Sequence, residues 1–247
     1  MLAKSPRPLG DVARSAGKSP LPLGEVASSA GEGGLSIRDL GLIDYADALA
    51  LQDRLVEQRV QNSIPDTLLL LEHPPVITLG RRGSRTDIFA TDELLETKGI
   101  TVHRATRGGL VTYHGPGQLV GYPIVNVRAR QLTIPCYVRA LENAVIDALG
   151  GLGLTTYLKD GYVGVFTEHG KIAAIGVAQR HGITLHGFAV NLQPDLSHFE
   201  LINPCGIAEL GVTSAATILG HPVDLSQFKP RIARAVEHYL GLASCAA

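Results

Sequence analysis

The sequence predicts an α+β fold in which a mixed β-sheet is flanked by helices, and two observations carry this prediction. Helical patterns occur at well-separated places along the chain. Most clearly over residues 155–192, short apolar runs alternate with turns of the hairpin kind, such as Lys159-Asp160-Gly161. Hairpins grouped in this way, with the helices set apart from them, are typical of the α+β class.

Apolar spacing, capping residues and the positions of proline and glycine locate the individual elements. Helices are predicted over residues 44–61, over 92–98 with Thr91 as the N-cap, from Thr133 to the pair Gly150-Gly151, and over 229–241. Strands are predicted over residues 67–71, over 76–79 as an edge segment, and over 100–105, 119–127 and 172–177. The last is expected to be a central strand because it is too apolar to be half-exposed.

The first 34 residues differ in composition from the rest of the chain. Residues 5–17, SPRPLGDVARSAG, return as residues 19–31, SPLPLGEVASSAG, in a tandem repeat. Proline, glycine, serine and alanine dominate, and bulky apolar side chains are too few to build a core. We therefore expect residues 1–34 to be a disordered tail and residues 35–245 to form one folded domain.

Charge, hydropathy and cysteine content argue against several classes of protein. The 22 basic and 23 acidic residues leave a net charge of -1, which gives no electrostatic reason to expect nucleic acid as a partner. No apolar run approaches the roughly 20 residues that span a bilayer, so no membrane segment is expected. Three cysteines are too few and odd in number for a disulfide framework, which favours a cytoplasmic location.

Residues 107–118, RGGLVTYHGPGQ, combine four glycines with polar side chains. Glycine permits a ligand to approach the backbone closely, so the segment is either a binding loop or a surface turn with a polar rim. It matches neither the phosphate-binding P-loop nor the dinucleotide fingerprint. The nine histidines are scattered, with no His-x-x-x-His or Cys-x-x-Cys spacing, so no metal site is expected.

Cys205 is the cysteine whose position suits a nucleophile. It stands between Pro204 and Gly206, on a constrained turn, whereas Cys136 at a helix start fits a packed core role and Cys245 is the third residue from the end in this numbering. Lys171 opens the apolar strand predicted at 172–177. From sequence alone it is either a charge that reaches water at a strand end or a functional cation.

Five ordered motifs resemble one known family, the lipoyl(octanoyl) transferases. They are LLLLEHPPVITLGRRG at residues 68–83, RGGLVTYHGPGQLVGYPI at 107–124, GKIAAIGV at 170–177, HGFAVNL at 186–192 and NPCGI at 203–207. The resemblance implies a biotin/lipoate protein ligase-like catalytic domain. It also implies a reaction in which octanoyl-acyl carrier protein donates an octanoyl group to an enzyme cysteine. The acceptor is then a lysine of a lipoyl domain, on a 2-oxoacid dehydrogenase E2 subunit or the glycine cleavage H protein.

The same resemblance assigns site residues. Cys205 matches the position that carries the acyl thioester, and Lys171 matches the lysine that lowers the thiol pKa. The substrate-contacting segments correspond to Arg107, Gly108, Gly109, Leu110, Val111, Thr112, Tyr113, His114, Ala174, Ile175, Gly176, Gly187, Phe188 and Ala189. No cofactor or metal is implied, because thioester exchange is nearly neutral in free energy and aminolysis of a thioester is favourable.

Two other classes stay open at this point. An ATP-dependent lipoate or biotin ligase of the same fold would activate a free acid as an adenylate and would need no nucleophilic cysteine. A non-catalytic protein could instead hold acylated carrier domains. The presence of both Cys205 and Lys171 favours the transferase.

Overall fold

The computed structural model describes residues 34–203 and 211–243. The strands are β1 (Ser36–Leu42), β2 (Thr67–Glu72), β3 (Val76–Leu79), β4 (Thr101–Arg104), β5 (Val111–His114), β6 (Gln118–Ile124), β7 (Val165–Thr167), β8 (Gly170–Arg180) and β9 (Ile183–Asn191). The α-helices are α1 (Tyr45–Val60), α2 (Asp92–Thr97), α3 (Ile134–Gly150), α4 (Ala215–Leu219) and α5 (Leu225–Leu242). None of the helices in these ranges combines the length and hydropathy needed to cross a membrane.

The strands form two sheets, and the α+β prediction is confirmed. The larger sheet has the order β1-β2-β6-β9-β8-β7, with β1 and β2 parallel and every other pair antiparallel. The smaller sheet has the order β4-β3-β5, with one parallel and one antiparallel pair. Both sheets are therefore mixed.

Helices cover both faces of the larger sheet because each presents an apolar stripe to it. Helices α3 and α5 pack on one face, where Leu141 and Ile232 belong to the largest buried cluster. Helix α1 covers the other face through residues such as Leu55. Local signals fix the helix starts as expected, since the side chain of Thr91 accepts from Leu94 N in α2 and that of Thr133 accepts from Cys136 N in α3.

Three predicted elements differ from the structure. The segment 76–79 was expected at a sheet edge, but β3 is the middle strand of the smaller sheet, and all four of its residues are buried. The paired prolines lie before β3 and remove no hydrogen bond from it. Helix α5 begins one turn earlier than expected because Asp224 caps it, accepting from Ser226 N at 2.8 Å. The predicted strand 172–177 does lie inside the larger sheet, between β9 and β7. It is nevertheless half-exposed at several positions, because one side of it borders a cavity.

Candidate active site

A cavity of about 440 Å³ lies against β8 and β9, within the roughly 300–1,000 Å³ range of small-molecule sites. Its floor is made of small residues. Ala174 of β8 pairs with Ala189 of β9, and Gly176 pairs with Gly187. Because alternate residues of a strand face the same side, these two pairs form one shallow, apolar channel along the sheet.

The glycine-rich segment covers this channel and is tied to the sheet. Gly108 N donates to the carbonyl oxygen of Val177 at 3.0 Å, which places the segment beside β8. The buried guanidinium of Arg107 donates to the carbonyl and hydroxyl oxygens of Thr78 at 2.6 and 2.8 Å. The segment is thus an ordered wall of the cavity. This removes the alternative of a surface turn with a polar rim.

Lys171 lies at the opposite end of the cavity from Gly176. Its Nζ donates to the carbonyl oxygen of Val163 at 2.8 Å and lies 5.5 Å from the centroid of the Phe166 ring. Its backbone N donates to Gly211 O at 3.1 Å, and its carbonyl accepts from Thr213 N at 3.0 Å. The chain that follows residue 210 is therefore held directly beside Lys171.

Cys205 belongs to residues 204–210, which lie outside the described part of the chain, as does Cys245. The described residues on both sides of that segment reach the cavity, since Phe199 and Val212 line it. Asn203 N donates to Asp87 O at 2.8 Å and so fixes the chain two residues before Cys205.

The cysteine that the structure describes differs from expectation. Cys136 was expected to be a packed core cysteine without a disulfide, but it is half-buried and disulfide-bonded. Cys136 itself does not line the cavity, although its neighbours Ile134 and Val138 do.

Most of the residues that the sequence singled out meet at this cavity. Those that line it are Arg107, Gly108, Gly109, Val111, Thr112, His114, Lys171, Ala174, Ile175, Gly176, Gly187, Phe188 and Ala189. Leu110 and Tyr113 do not. Tyr113 points to the core of the smaller sheet, where its hydroxyl hydrogen-bonds to Nδ1 of His198 at 2.8 Å.

Sequence reasoning missed a histidine–tyrosine cluster, defined here as Tyr45, His73, His114, Tyr122 and His186. Tyr45 lies 5.3 Å from His73 and 6.4 Å from His114, measured between ring centroids. His73 Nε2 and the Tyr122 hydroxyl hydrogen-bond at 2.8 Å. Every member except His73 lines the cavity. The members come from five separate parts of the chain, so no spacing could have revealed the cluster.

The cluster is uncharged at neutral pH. Burial lowers the pKa of His73 to about 4, of His114 to about 3 and of His186 to about 4. The charge of Arg107 lowers the pKa of His114 and His186 further. Burial also raises the pKa of Tyr45 to about 12. Neutral rings suit an uncharged ligand.

Hydrogen bonds connect this cluster to the Lys171 end of the cavity. His114 Nδ1 and Gln118 Oε1 are 2.7 Å apart, and Gln118 Nε2 donates to Asn191 Oδ1 at 2.9 Å. Asn191 Nδ2 donates to Thr213 O at 3.1 Å, and Thr213 N donates to Lys171 O. The buried polar chain fixes the position of the backbone next to Lys171.

The site has no group of three or more metal-ligating side chains within residues 34–203 and 211–243. The cavity consists of an apolar channel with a lysine at one end and neutral polar rings at the other. Such a channel can hold an extended acyl chain with its reacting carbonyl near the lysine.

A family model and individual relatives with known names both match this chain. A family model described as the lipoyl protein ligase A/B catalytic domain matches residues 44–237. The octanoyltransferase of Pelobacter propionicus is 45% identical over 197 residues, which are 80% of this chain and 91% of the relative. That of Solibacter usitatus is 48% identical over 198 residues, 80% of this chain and 89% of the relative.

A solved structure agrees in fold. The bi-partite lipoate protein ligase of Thermoplasma acidophilum, described with its E2 lipoyl domain, superposes with a TM-score of 0.66 at 18% identity. The match covers 85% of this chain and 84% of that chain. The expected ligase-like fold is thereby confirmed.

Proposed function

This chain belongs to the lipoyl protein ligase A/B catalytic-domain family and is an acyltransferase that performs octanoyl transfer in lipoate biosynthesis, and we propose that a thioester on Cys205 is its intermediate. The donor in this proposal is octanoyl-acyl carrier protein. The acceptor is a lysine of a lipoyl domain, on a 2-oxoacid dehydrogenase E2 subunit or the glycine cleavage H protein. A cytoplasmic location stays a prediction.

One observation supports the proposed chemistry most strongly. Lys171 lines the apolar channel, and its backbone N donates to the carbonyl oxygen of Gly211, the first described residue after the segment that contains Cys205. A lysine ammonium near a thiol favours the thiolate, which is the attacking form. An unperturbed thiol, with a pKa near 8.5, is ionised only to a few per cent at pH 7.

The two transfers balance without an added reactant. The Cys205 thiolate attacks the thioester carbonyl of the donor, a new C–S bond forms, and the carrier thiol leaves and takes a proton. The uncharged amine of the acceptor lysine then attacks the enzyme thioester. An amide forms, its proton passes to a base, and the Cys205 thiolate is released. Lys171 is placed to exchange protons in both steps.

A lipoate protein ligase has the same fold at only 18% identity, so the fold by itself does not distinguish the proposed transferase from an ATP-dependent ligase. The relatives at 45% and 48% identity favour the transferase. We also propose that residues 35–245 form the catalytic domain and that residues 1–34 lie outside it. The family match at residues 44–237 supports that division.

The test uses the full chain with octanoyl-acyl carrier protein and an unmodified lipoyl domain, in a mixture free of nucleotide. The expected result is a lipoyl domain heavier by one octanoyl group. The control replaces the carrier substrate with octanoic acid and ATP. Modification in the control mixture, with none in the nucleotide-free mixture, would identify a ligase and overturn the proposal.

A further inference from the structure

We propose that Glu142 positions the ammonium of Lys171, by holding the peptide group between Val163 and Gly164 that receives the ammonium. This inference rests on the proposed function, since it concerns the lysine of the same reaction. Glu142 is a positioning residue, because it does not line the cavity and acts on Lys171 through that peptide group.

The peptide group between Val163 and Gly164 is held from two sides. Its carbonyl oxygen, which belongs to Val163, accepts a hydrogen bond from Nζ of Lys171 at 2.8 Å. Its N–H, which belongs to Gly164, donates to Oε1 of Glu142 at 2.9 Å. A peptide group is planar, so the direction of its N–H also fixes the direction of its carbonyl oxygen. The Glu142 carboxylate therefore determines where the acceptor of Lys171 points.

The loop that carries this peptide group needs such an anchor. Residues 161–164 come directly before β7, and Val163 is 51% exposed. Gly161 and Gly164 have φ angles of +81° and +125°, which glycine adopts freely. An exposed backbone with this conformational freedom is easily displaced unless a hydrogen bond to a more rigid element holds it.

Helix α3 is that rigid element. The side chain of Glu142 is only 4% exposed, and its helix neighbours Leu141 and Val145 are fully buried in the largest cluster. Its second oxygen, Oε2, lies 3.3 Å from Nη1 of Arg139 in the same helix. A buried carboxylate is costly unless its oxygens are paired, and here each oxygen has a partner. The carboxylate therefore offers Gly164 an acceptor that is fixed to the core.

Gly164 also leaves the space that the lysine side chain occupies. A Cβ at residue 164 would lie 2.5 Å from Cε of Lys171 and 2.5 Å from the carbonyl oxygen of Ala173. Because Cε is the carbon bonded to Nζ, the charged end of the lysine packs directly against the anchored peptide group. The position of the ammonium is thus set from behind, by a residue outside the cavity.

This position matters for the proposed thiolate at Cys205. An ammonium lowers the pKa of a thiol only while the two are close, since their interaction weakens with distance. The lysine side chain is flexible, so an ammonium without a fixed acceptor spends part of its time elsewhere. A displaced Val163 carbonyl should therefore raise the thiol pKa and slow octanoyl transfer at pH values below it.

The experiment measures kcat/KM for octanoyl-acyl carrier protein as a function of pH, in full-length variants. Glu142→Asp keeps the charge but withdraws the oxygens from Gly164 by one methylene group, whereas Glu142→Gln keeps an oxygen within reach and removes the charge. The acidic inflection should rise by about half a unit in Glu142→Asp, a roughly threefold loss of rate below it, and stay unchanged in Glu142→Gln. A smaller folded fraction lowers the whole profile without moving its inflection.

Arg139→Met is the matched control, because it removes the other partner of Glu142 from a side chain that does not line the cavity. Its inflection should equal that of the unaltered chain. Gly164→Ala is a second variant, which decides the matter if Glu142→Asp does not fold. Its added methyl group displaces Lys171 and should also raise the inflection.

An unmoved inflection in Glu142→Asp, an equal shift in Glu142→Gln or a shift in Arg139→Met would overturn the inference. Failure of the proposed function has a different signature. In that case Lys171→Met would leave the inflection unmoved, or the unaltered chain would form no octanoylated lipoyl domain.

Discussion

Octanoyl transfer by the Cys205→Ser variant is expected to be at least about a thousandfold slower than transfer by the unaltered chain. A serine hydroxyl is not ionised near neutral pH, whereas a thiol beside a lysine is, and loss of the nucleophile removes the covalent step. The measurement is the initial rate of lipoyl-domain modification with octanoyl-acyl carrier protein as donor.

The control for this substitution is Cys136→Ser, assayed under reducing conditions so that the disulfide of Cys136 does not influence the comparison. Cys136 does not line the cavity, and its variant should transfer at a rate within a few-fold of the unaltered chain. A Cys205→Ser variant that kept a tenth or more of the activity would show that another group carries the octanoyl chain.

Gly187→Ala is expected to lower the free energy of unfolding by about 3 kcal/mol. A Cβ at residue 187 would overlap the carbonyl oxygen of Gly121 and lie 2.7 Å from Cδ of Pro123. Both residues belong to β6, close to its pairing with β9, where backbone atoms cannot move without breaking sheet hydrogen bonds. Overpacking of a rigid interior costs this much. Denaturant unfolding of the purified variant measures the loss.

Gly176→Ala is the matched control for Gly187→Ala, because the two glycines face each other in register on β8 and β9. The nearest atom to a Cβ at residue 176 is Cδ of Arg107 at 3.2 Å, so a shift of a few tenths of an ångström in one side chain relieves the contact and no backbone atom has to move. The control should therefore lose less than about 1 kcal/mol. Equal losses for the two variants would mean that the close approach of β9 to β6 does not limit side-chain size.

Elements with local signals were predictable from sequence, and elements that depend on distant pairing were less so. Helix α3 was located from Thr133 and the proline that follows, because capping is decided within one turn. Strand β1, with the sequence SIRDLGL, was not predicted, because it is a half-exposed edge strand with no alternation of apolar residues. Strand β3 was predicted at a sheet edge. Its two partners, β4 and β5, come later in the chain, and nothing local in the sequence shows that they pair with both sides of β3.

The candidate site shows the same division. The resemblance in sequence located the channel floor and the glycine-rich wall, because the residues of each lie within short continuous motifs. It could not reveal that Tyr113 faces away from the cavity, because the structure places a short strand within what reads as a glycine-rich segment. Nor could it reveal the histidine–tyrosine cluster, since members such as Tyr45 and His114 lie far apart in the chain and meet only in the folded molecule.

The proposed mechanism requires the ammonium of Lys171 to lower the pKa of the Cys205 thiol, and the pH dependence of alkylation at that thiol measures this pKa. The rate is followed at the peptide that contains Cys205, in the unaltered chain, in Lys171→Met and in the control Lys159→Met. Lys159 lies outside the cavity, over the ring of Tyr162.

An apparent thiol pKa below about 8.5 is expected in the unaltered chain and in Lys159→Met. In Lys171→Met the pKa should rise by about one unit or more, with alkylation near pH 7 about tenfold slower. Superimposable pH profiles for Lys171→Met and the unaltered chain would contradict the claim.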